Sequence, residues 1–455
     1  MMATPTAQST GPPAAVVDAP VPAIAADGGE VRTGGRLATF GGASWLRLGV
    51  CVAFAGPGVM VMLADTDAGS VITAAQSGAS FGYRLVLTQV ILIPVLYVVQ
   101  EITVRLGMVT GKGHGSLIVS SFGQMWGWVS AATLFAACMG ALITEFAGVA
   151  GAAALAGIPR AVSVTAAALF VLVLVLLGGH RRVEYVGIAI GLLELLFIPA
   201  ALLARPHPAA LAVGLAHPLL ATHDFWTLLA ANVGAVIMPW MIFYQQSAVV
   251  DKGRHGLALR DALRSARAGT LAGSVLTQLI MISIVVATAA TIGTGHSGAA
   301  LHSVGEVTVA LTPFLGRTGA LVLFGMGIIG ASLIAALVVA LAGAWGVAEV
   351  LGWRHSLNDS PARAVGFYTL SGLALAGGAA LVVAAPSLVN LSVGMEVMNA
   401  CLLPLVLGFL LALERLALPA QLRMRGARLA GTYALSGLVM TLGLYTTVGQ
   451  LLRIC

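Results

Sequence analysis

A chain of 455 residues that is 59% apolar and 9% charged is excluded from the soluble globular class, because apolar runs of about 20 residues, long enough to cross a bilayer as a helix, recur almost from end to end. The formal net charge of +6, from 23 Lys and Arg against 17 Asp and Glu, sits largely in the segments between those runs, so a topology signal accounts for it and nucleic-acid binding is unneeded. These properties define an all-α polytopic membrane protein.

Residues 1–42 are rich in Ala, Pro, Gly and Thr without helical periodicity, which predicts a disordered cytoplasmic tail. They lack an arginine-led apolar core with a small-residue cleavage site, so a signal peptide is not expected. About eleven spans follow, centred near Met60, Val95, Met139, Val171, Leu192, Gly234, Ile282, Leu333, Leu373, Leu402 and Leu438. With the amino terminus cytoplasmic, only Arg84, Arg160, Arg205, Arg317 and Arg453 fall outside, as the positive-inside rule requires. The basic clusters at 252–267 and 415–428 then face anionic lipid.

Span 1 carries Asp65-Thr66-Asp67-Ala68-Gly69-Ser70 near its middle. An ionised carboxylate in hydrocarbon costs several kcal/mol unless it faces a cavity or a cation, so two of them mark a site. Glu101 and Arg105 on span 2 are spaced to pair on one helix face. The glycine-rich loop Thr110-Gly111-Lys112-Gly113-His114-Gly115 lacks the strand and the Lys-Ser/Thr spacing of a nucleotide cradle. Glu145 on span 3 belongs either to an ion or proton path or to a pair with a cytoplasmic arginine. Glu194 on span 5 and Glu396 on span 10 also lie where charge is expensive, and Glu396 precedes Asn399 and Pro404 on an irregular helix. Gln76, Asn232, Gln245 and Gln278 suit interhelical hydrogen bonds and substrate contact equally. His296 and His302 read as a solvated loop pair. Cys51, Cys138, Cys401 and Cys455 lack metal-type spacing and read as packing residues. The 56 glycines fit close helix packing.

Span 6 carries Gly234-Ala235-Val236-Ile237-Met238-Pro239-Trp240 at its middle, with an interior proline that frees the Ala235 carbonyl. Helix-weakening runs at corresponding places of two five-span halves point to an inverted repeat with its site at the bilayer midplane. The predicted organisation is 43–205 for the first repeat, 206–414 for the second, and 415–455 for a cytoplasmic loop and an eleventh span. Asp67, Ser70, the Ala235 carbonyl and the Met238 thioether form a donor set for a divalent cation. The oxygens suit Mg²⁺ or Ca²⁺ and the sulfur favours Mn²⁺ or Fe²⁺, while packing is the other reading of Met238. The ion is cargo and no cofactor is expected. The partners expected are divalent metal ions and the lipid bilayer, with no nucleic acid and no obligate protein partner.

The order Gly56-Pro57-Gly58, Asp67-Ala68-Gly69-Ser70, Phe81-Gly82-Tyr83, Arg105-Leu106-Gly107-Met108-Val109-Thr110-Gly111 and Met238-Pro239 resembles the NRAMP family of divalent-metal transporters. The resemblance implies a LeuT-like fold of 5+5 helices plus one extra helix, with spans 1 and 6 broken at midplane. It places the family's Asp-Pro-Gly-Asn motif on Asp67, Ala68, Gly69 and Ser70, and its span 6 ligands on the Ala235 carbonyl and Met238. Ser70 stands where the family has an amide, and Asp65 is an additional carboxylate. Trp240 and the pair Gln245 and Gln246 stand where histidines are expected, and Gly148 stands for the second acid of span 3 beside Glu145. These departures weaken the case for proton coupling and look like the NRAMP-related branch associated with Mg²⁺. The reading is therefore a secondary carrier of Mn²⁺/Fe²⁺-type ions or of Mg²⁺ in a bacterial inner membrane. An amino-acid or organic-cation carrier on the same fold is the alternative. No HExxH pattern or soluble catalytic domain supports an enzyme.

Overall fold

The computed structural model of the protein describes residues 56–217, 220, 222–253, 256–293, 301, 304–385 and 388–454, without the side chains of 304, 388–401 and 445–454. The tail at 1–42, Cys51, Cys455, His296 and His302 lie outside what is described, as do the side chains of Glu396, Asn399 and Cys401. Each predicted span centre falls within a helical element, and the described residues contain no strand.

Span 1 is two helices, α1 (Pro57–Asp65) and α2 (Ala68–Phe81). Pro57 starts α1, where its fixed φ is already helical and its missing N–H costs nothing. A 3₁₀ turn, Gly82–Leu85, leads into α3 (Val86–Thr110), which ends on Gly111 in the left-handed region (φ 65°). The short α4 (His114–Phe122) precedes α5 (Gln124–Leu155), α6 (Arg160–Leu177) and α7 (His180–Gly191). Span 5 continues through a 3₁₀ stretch, Leu192–Leu196, into α8 (Phe197–Leu203). The outlying α9 (Pro208–Ala216) connects to span 6, again two helices, α10 (His223–Val236) and α11 (Pro239–Lys252).

Then come α12 (Leu259–Thr291), α13 (Val304–Gly319, kinked at Gly316), a π-helical turn Ala320–Gly325 and α14 (Met326–Leu351). The chain closes with α15 (Val365–Ala384), α16 (Leu388–Leu416) and α17 (Gly426–Ile454). Eight helical stretches among the described residues are long and apolar enough to cross a bilayer. This is an integral membrane protein.

The centre is α14 packed on α5, with α12 laid along α1, α2 and α3. Small residues permit these approaches: a Cβ at Gly78 on α2 would overlap the Thr288 hydroxyl and the Val285 carbonyl of α12. Both broken helices are held inside this core, and every residue of α1 is buried.

Candidate functional site

At the span 1 break, α1 ends on Asp65, and the Thr66 N–H still reaches the Leu63 carbonyl at 3.1 Å. Asp67 is extended (φ −69°, ψ 173°) and caps α2, its Oδ1 accepting the Ser70 N–H at 2.7 Å. Unwinding between Asp67 and Ser70 would let both face one point. The unwound stretch is instead Thr66–Asp67, because an aspartate cap satisfies an orphan N–H of the next helix and lets it restart at Ala68. Asp67 and Ser70 are brought together by the cap, with Gly69 in the same first turn.

A second carboxylate serves the same helix end. The Oε2 of Glu145, from α5, accepts the Ala68 N–H at 3.3 Å, so Glu145 lies at the break and not in a pair with a cytoplasmic arginine. Both anions sit at the positive end of the α2 dipole, whereas Asp65 closes α1 at its negative end, where an anion is disfavoured. Asp65 is 2% exposed, and its Oδ1 has no hydrogen-bond partner.

At the span 6 break, α10 ends on Val236 while Ile237 and Met238 are extended. Pro239 is the first residue of α11, not an interior kink. The Ala235 carbonyl is thus released because the chain leaves helical geometry just after it, and it accepts the Ser70 hydroxyl at 3.2 Å. That bond joins the two breaks. Met238 caps α11 and is buried beside them in sequence.

Other candidates are placed elsewhere. Gln76, further along α2, donates to the Ser80 hydroxyl at 2.5 Å and accepts from the Leu301 N–H. Asn232 is interhelical: its Nδ2 donates to Ser77 and Leu228 while its Oδ1 accepts from Gln89. Glu194, in the 3₁₀ stretch of span 5, is fully buried, and the charges of Asp65, Glu145 and Asp67 act on it. Neither of its carboxylate oxygens is hydrogen-bonded. Burial at depth was readable for Glu194, but its approach to the span 1 break, 128 residues from Thr66 along the chain, was not. Among the described residues, no three His, Cys, Asp or Glu side chains form a compact metal cluster.

The positions that depart from the resembled pattern have structural causes. A Cβ at Gly148 would lie 2.6 Å from Ser332 Oγ and 2.7 Å from Ala68 Cβ, leaving no room for a second acid. Trp240 is fully buried. Gln246 Oε1 accepts from the His114 Nδ1–H at 2.8 Å, and its Nε2 donates to the Lys112 carbonyl at 2.9 Å. His114, edge-on to Phe243 at 4.6 Å, is held neutral by burial, which lowers its pKa from 6.5 to about 4. The glycine-rich loop around it cradles a protein carboxylate: Glu349 of α14 accepts the Gly115 N–H at 2.8 Å and the Ser247 hydroxyl at 2.5 Å, and a side chain at Gly113 would overlap it.

The Glu101–Arg105 pair is the middle of a larger network. Arg105 also bonds Glu414 at 3.2 Å, and Glu101 also receives Arg267 of α12 and Arg428 of α17. Separately, His180 meets Asp251 at 2.8 Å and Lys252 meets Glu184 at 2.8 Å, tying α7 to the end of α11. Cys138 is a buried free thiol that packs by Gly343.

A helical core built on two breaks joined by a hydroxyl–carbonyl bond defines a membrane transporter of the LeuT-like class. Comparison agrees. The model of the Natural resistance-associated macrophage protein-like (Nramp) family matches residues 58–449, and the chain belongs to that family. It is 32% identical over 302 residues to the divalent metal cation transporter MntH of Pectobacterium carotovorum subsp. carotovorum, covering 63% of this chain and 70% of that protein. The fold matches the Eremococcus coleocola manganese transporter with a TM-score of 0.74 at 20% identity, over 91% of this chain and 89% of that one. It also matches Mhp1, a nucleobase-cation-symport-1 family transporter, with a TM-score of 0.53 at 13% identity, over 86% and 90% of the two chains.

Proposed function

We propose that the joined breaks hold the transported ion, the chain being a secondary transporter of divalent metal ions that works by alternating access and not an enzyme. Asp67 supplies the charged ligand, with the Ser70 hydroxyl, the Ala235 carbonyl and the Met238 thioether around it. The observation that supports this reading is the Ser70–Ala235 hydrogen bond, which joins the two breaks inside a buried core. An amino-acid carrier is disfavoured, since Asp67 at the start of α2 would repel the carboxylate that such a helix end otherwise attracts.

The cargo is an ion of the Mn²⁺/Fe²⁺ type or Mg²⁺, and the Met238 sulfur is the donor that separates the two. Trp240, Gln245 and Gln246 give α11 no group that titrates near neutrality, and His114 beside it is neutral, so we expect flux without proton movement. From the distribution of Lys and Arg we place the amino end in the cytoplasm of a bacterial cell, in its inner membrane, acting without an obligate protein partner.

The test is Mn²⁺ and Mg²⁺ uptake into proteoliposomes carrying an internal pH dye, for wild type and Met238→Ala. Dication uptake without acidification is expected, and loss of Mn²⁺ preference in the variant assigns the sulfur. Absence of uptake of either ion contradicts the reading.

A further inference from the structure

Helices α2 and α10 touch at three levels. Beside the breaks, the Ser70 hydroxyl donates to the Ala235 carbonyl at 3.2 Å. Further along, Asn232 Nδ2 donates to the Ser77 hydroxyl at 2.7 Å. At the far ends, Phe81 and Phe225 pack edge to face with ring centroids 5.3 Å apart. Ser70 and Ser77 are two helical turns apart, as are Phe225 and Asn232, so each pair keeps to one face of its helix. Residue numbers rise along α2 as they fall along α10, so the two helices run antiparallel in a single register.

The middle level is also tied to a third helix. Asn232, fully buried, accepts from Gln89 Nε2 of α3 at 2.6 Å and donates to the Leu228 carbonyl of its own helix at 2.7 Å, so both ends of its amide are engaged. The Ser77 hydroxyl, which accepts from Asn232, donates in turn to the Thr73 carbonyl at 2.7 Å, and the Thr73 hydroxyl donates to the Gly69 carbonyl at 3.0 Å. The tie is thereby carried back along α2 to its first turn, where Ser70 lies and Asp67 forms the cap.

The Ala235 carbonyl needs such a tie. It belongs to the backbone, so no side-chain rotamer can adjust it, and its place follows from where α10 lies. Because Ile237 and Met238 are extended, α11 does not fix the rotation of α10 about its axis. Asn232 stands about one turn before Ala235 and holds that rotation against both α2 and α3. Binding groups act only when their support keeps them close to the productive geometry. We propose that Asn232, through its bonds to Ser77 and Gln89, is a positioning residue for transport: it fixes the register of α10 on α2, so that the Ala235 carbonyl stays at Ser70 when the ion binds. Asn232 acts through Ala235 and is not itself a ligand.

The proposal rests on the reading of Asp67 and the Ala235 carbonyl as ligands of the transported ion, and the test separates the two ideas. Mn²⁺ uptake into proteoliposomes is measured over a range of Mn²⁺ concentrations for wild type, Ser77→Ala, Asn232→Leu, their double variant and Asp67→Asn, with the thermal unfolding of each. Loss of the tie should raise KM at least threefold in Ser77→Ala and further in Asn232→Leu, with the maximal rate per folded transporter held within about twofold. A threefold change is about 0.65 kcal/mol, close to the average worth of one hydrogen bond between membrane helices. Both single changes break the same bond, so the double variant should show the KM of Asn232→Leu and not the product of the two effects. Ser77→Ala, the smaller change, carries the test by itself if Asn232→Leu does not fold. A wild-type KM in Ser77→Ala, whatever its unfolding midpoint or maximal rate, makes the cluster packing alone and overturns the proposal, as does multiplication of the two effects in the double variant. If Asp67→Asn loses uptake in the same vesicles, that failure leaves the ion site standing. Undiminished uptake in Asp67→Asn contradicts the ion site itself, and the positioning role falls with it.

Discussion

Gly148 offers a quantitative test of how tightly the first break is held. An added methyl would lie 2.7 Å from Ala68 Cβ and 2.6 Å from Ser332 Oγ, against an ordinary carbon–carbon contact of about 3.5–4.0 Å. Helix α5 must then move off α2 and α14 by several tenths of an ångström, an overpacking strain worth about 1–3 kcal/mol. The same movement lengthens the bond from the Ala68 N–H to Glu145, which is already 3.3 Å. Gly148→Ala is therefore expected to lower the thermal unfolding midpoint of the purified protein, followed by tryptophan fluorescence, and to slow dication uptake. Ser332→Ala in the same chain removes the hydroxyl and leaves Ser332 Cβ at 3.8 Å, so the double variant should recover part of the lost stability but not all, since Ala68 remains. If Gly148→Ala unfolds with wild type, α5 has room that the structure denies, and steric exclusion no longer explains the missing second acid.

Three further predictions concern the charged networks and the glycine-rich loop. Glu101→Gln leaves Arg105, 2% exposed, with only Glu414 to answer it, and should destabilise the protein by about 3 kcal/mol in a denaturation series. Most of that cost belongs to Arg105, because Arg267 and Arg428 are partly exposed and screened; an unchanged midpoint would refute it. Gly113→Ala drives a methyl into the Glu349 carboxylate and should destabilise the chain, with Gly113→Ala/Glu349→Ala less affected than expected from the sum of its single changes. His114 has a folded pKa of about 4 against 6.5 unfolded, so its neutral form contributes fully above pH 6.5 and that contribution is lost as pH falls toward 4. The lost stability amounts to about 3 kcal/mol, and His114→Gln should flatten this part of the stability–pH curve. An equally steep curve in the variant would contradict the burial argument.

The architecture was legible because hydrocarbon imposes one rule, long apolar helices, and because Asp65, Asp67 and Pro239 violate that rule at matching places. The same rule draws attention to Asp67, Ser70, Ala235 and Met238 as the proposed donors. Local capping overrides composition: the aspartate that marks the site also restarts the helix, so the break is shorter than its composition suggests, and the proline opens a helix instead of bending one. Contacts far apart in sequence were invisible. Nothing local reveals that Glu194 reaches the span 1 break, that Glu349 fills the glycine-rich loop, or that Glu101 answers three arginines. Gly148 looked like a missing acid, and only the closeness of Ala68 and Ser332 shows why it is glycine.

The central claim, that the charge of Asp67 binds the cargo, is tested most directly by Mn²⁺ uptake into proteoliposomes for wild type, Asp67→Asn and Asp67→Ala. Asparagine keeps an oxygen to accept the Ser70 N–H and so preserves the cap, while alanine removes both cap and charge at a further cost of about 1 kcal/mol in stability. The account predicts that Asp67→Asn unfolds near the wild-type midpoint yet loses uptake at least tenfold, the equivalent of about 1.4 kcal/mol or more. Uptake at the wild-type rate and affinity in Asp67→Asn would contradict it.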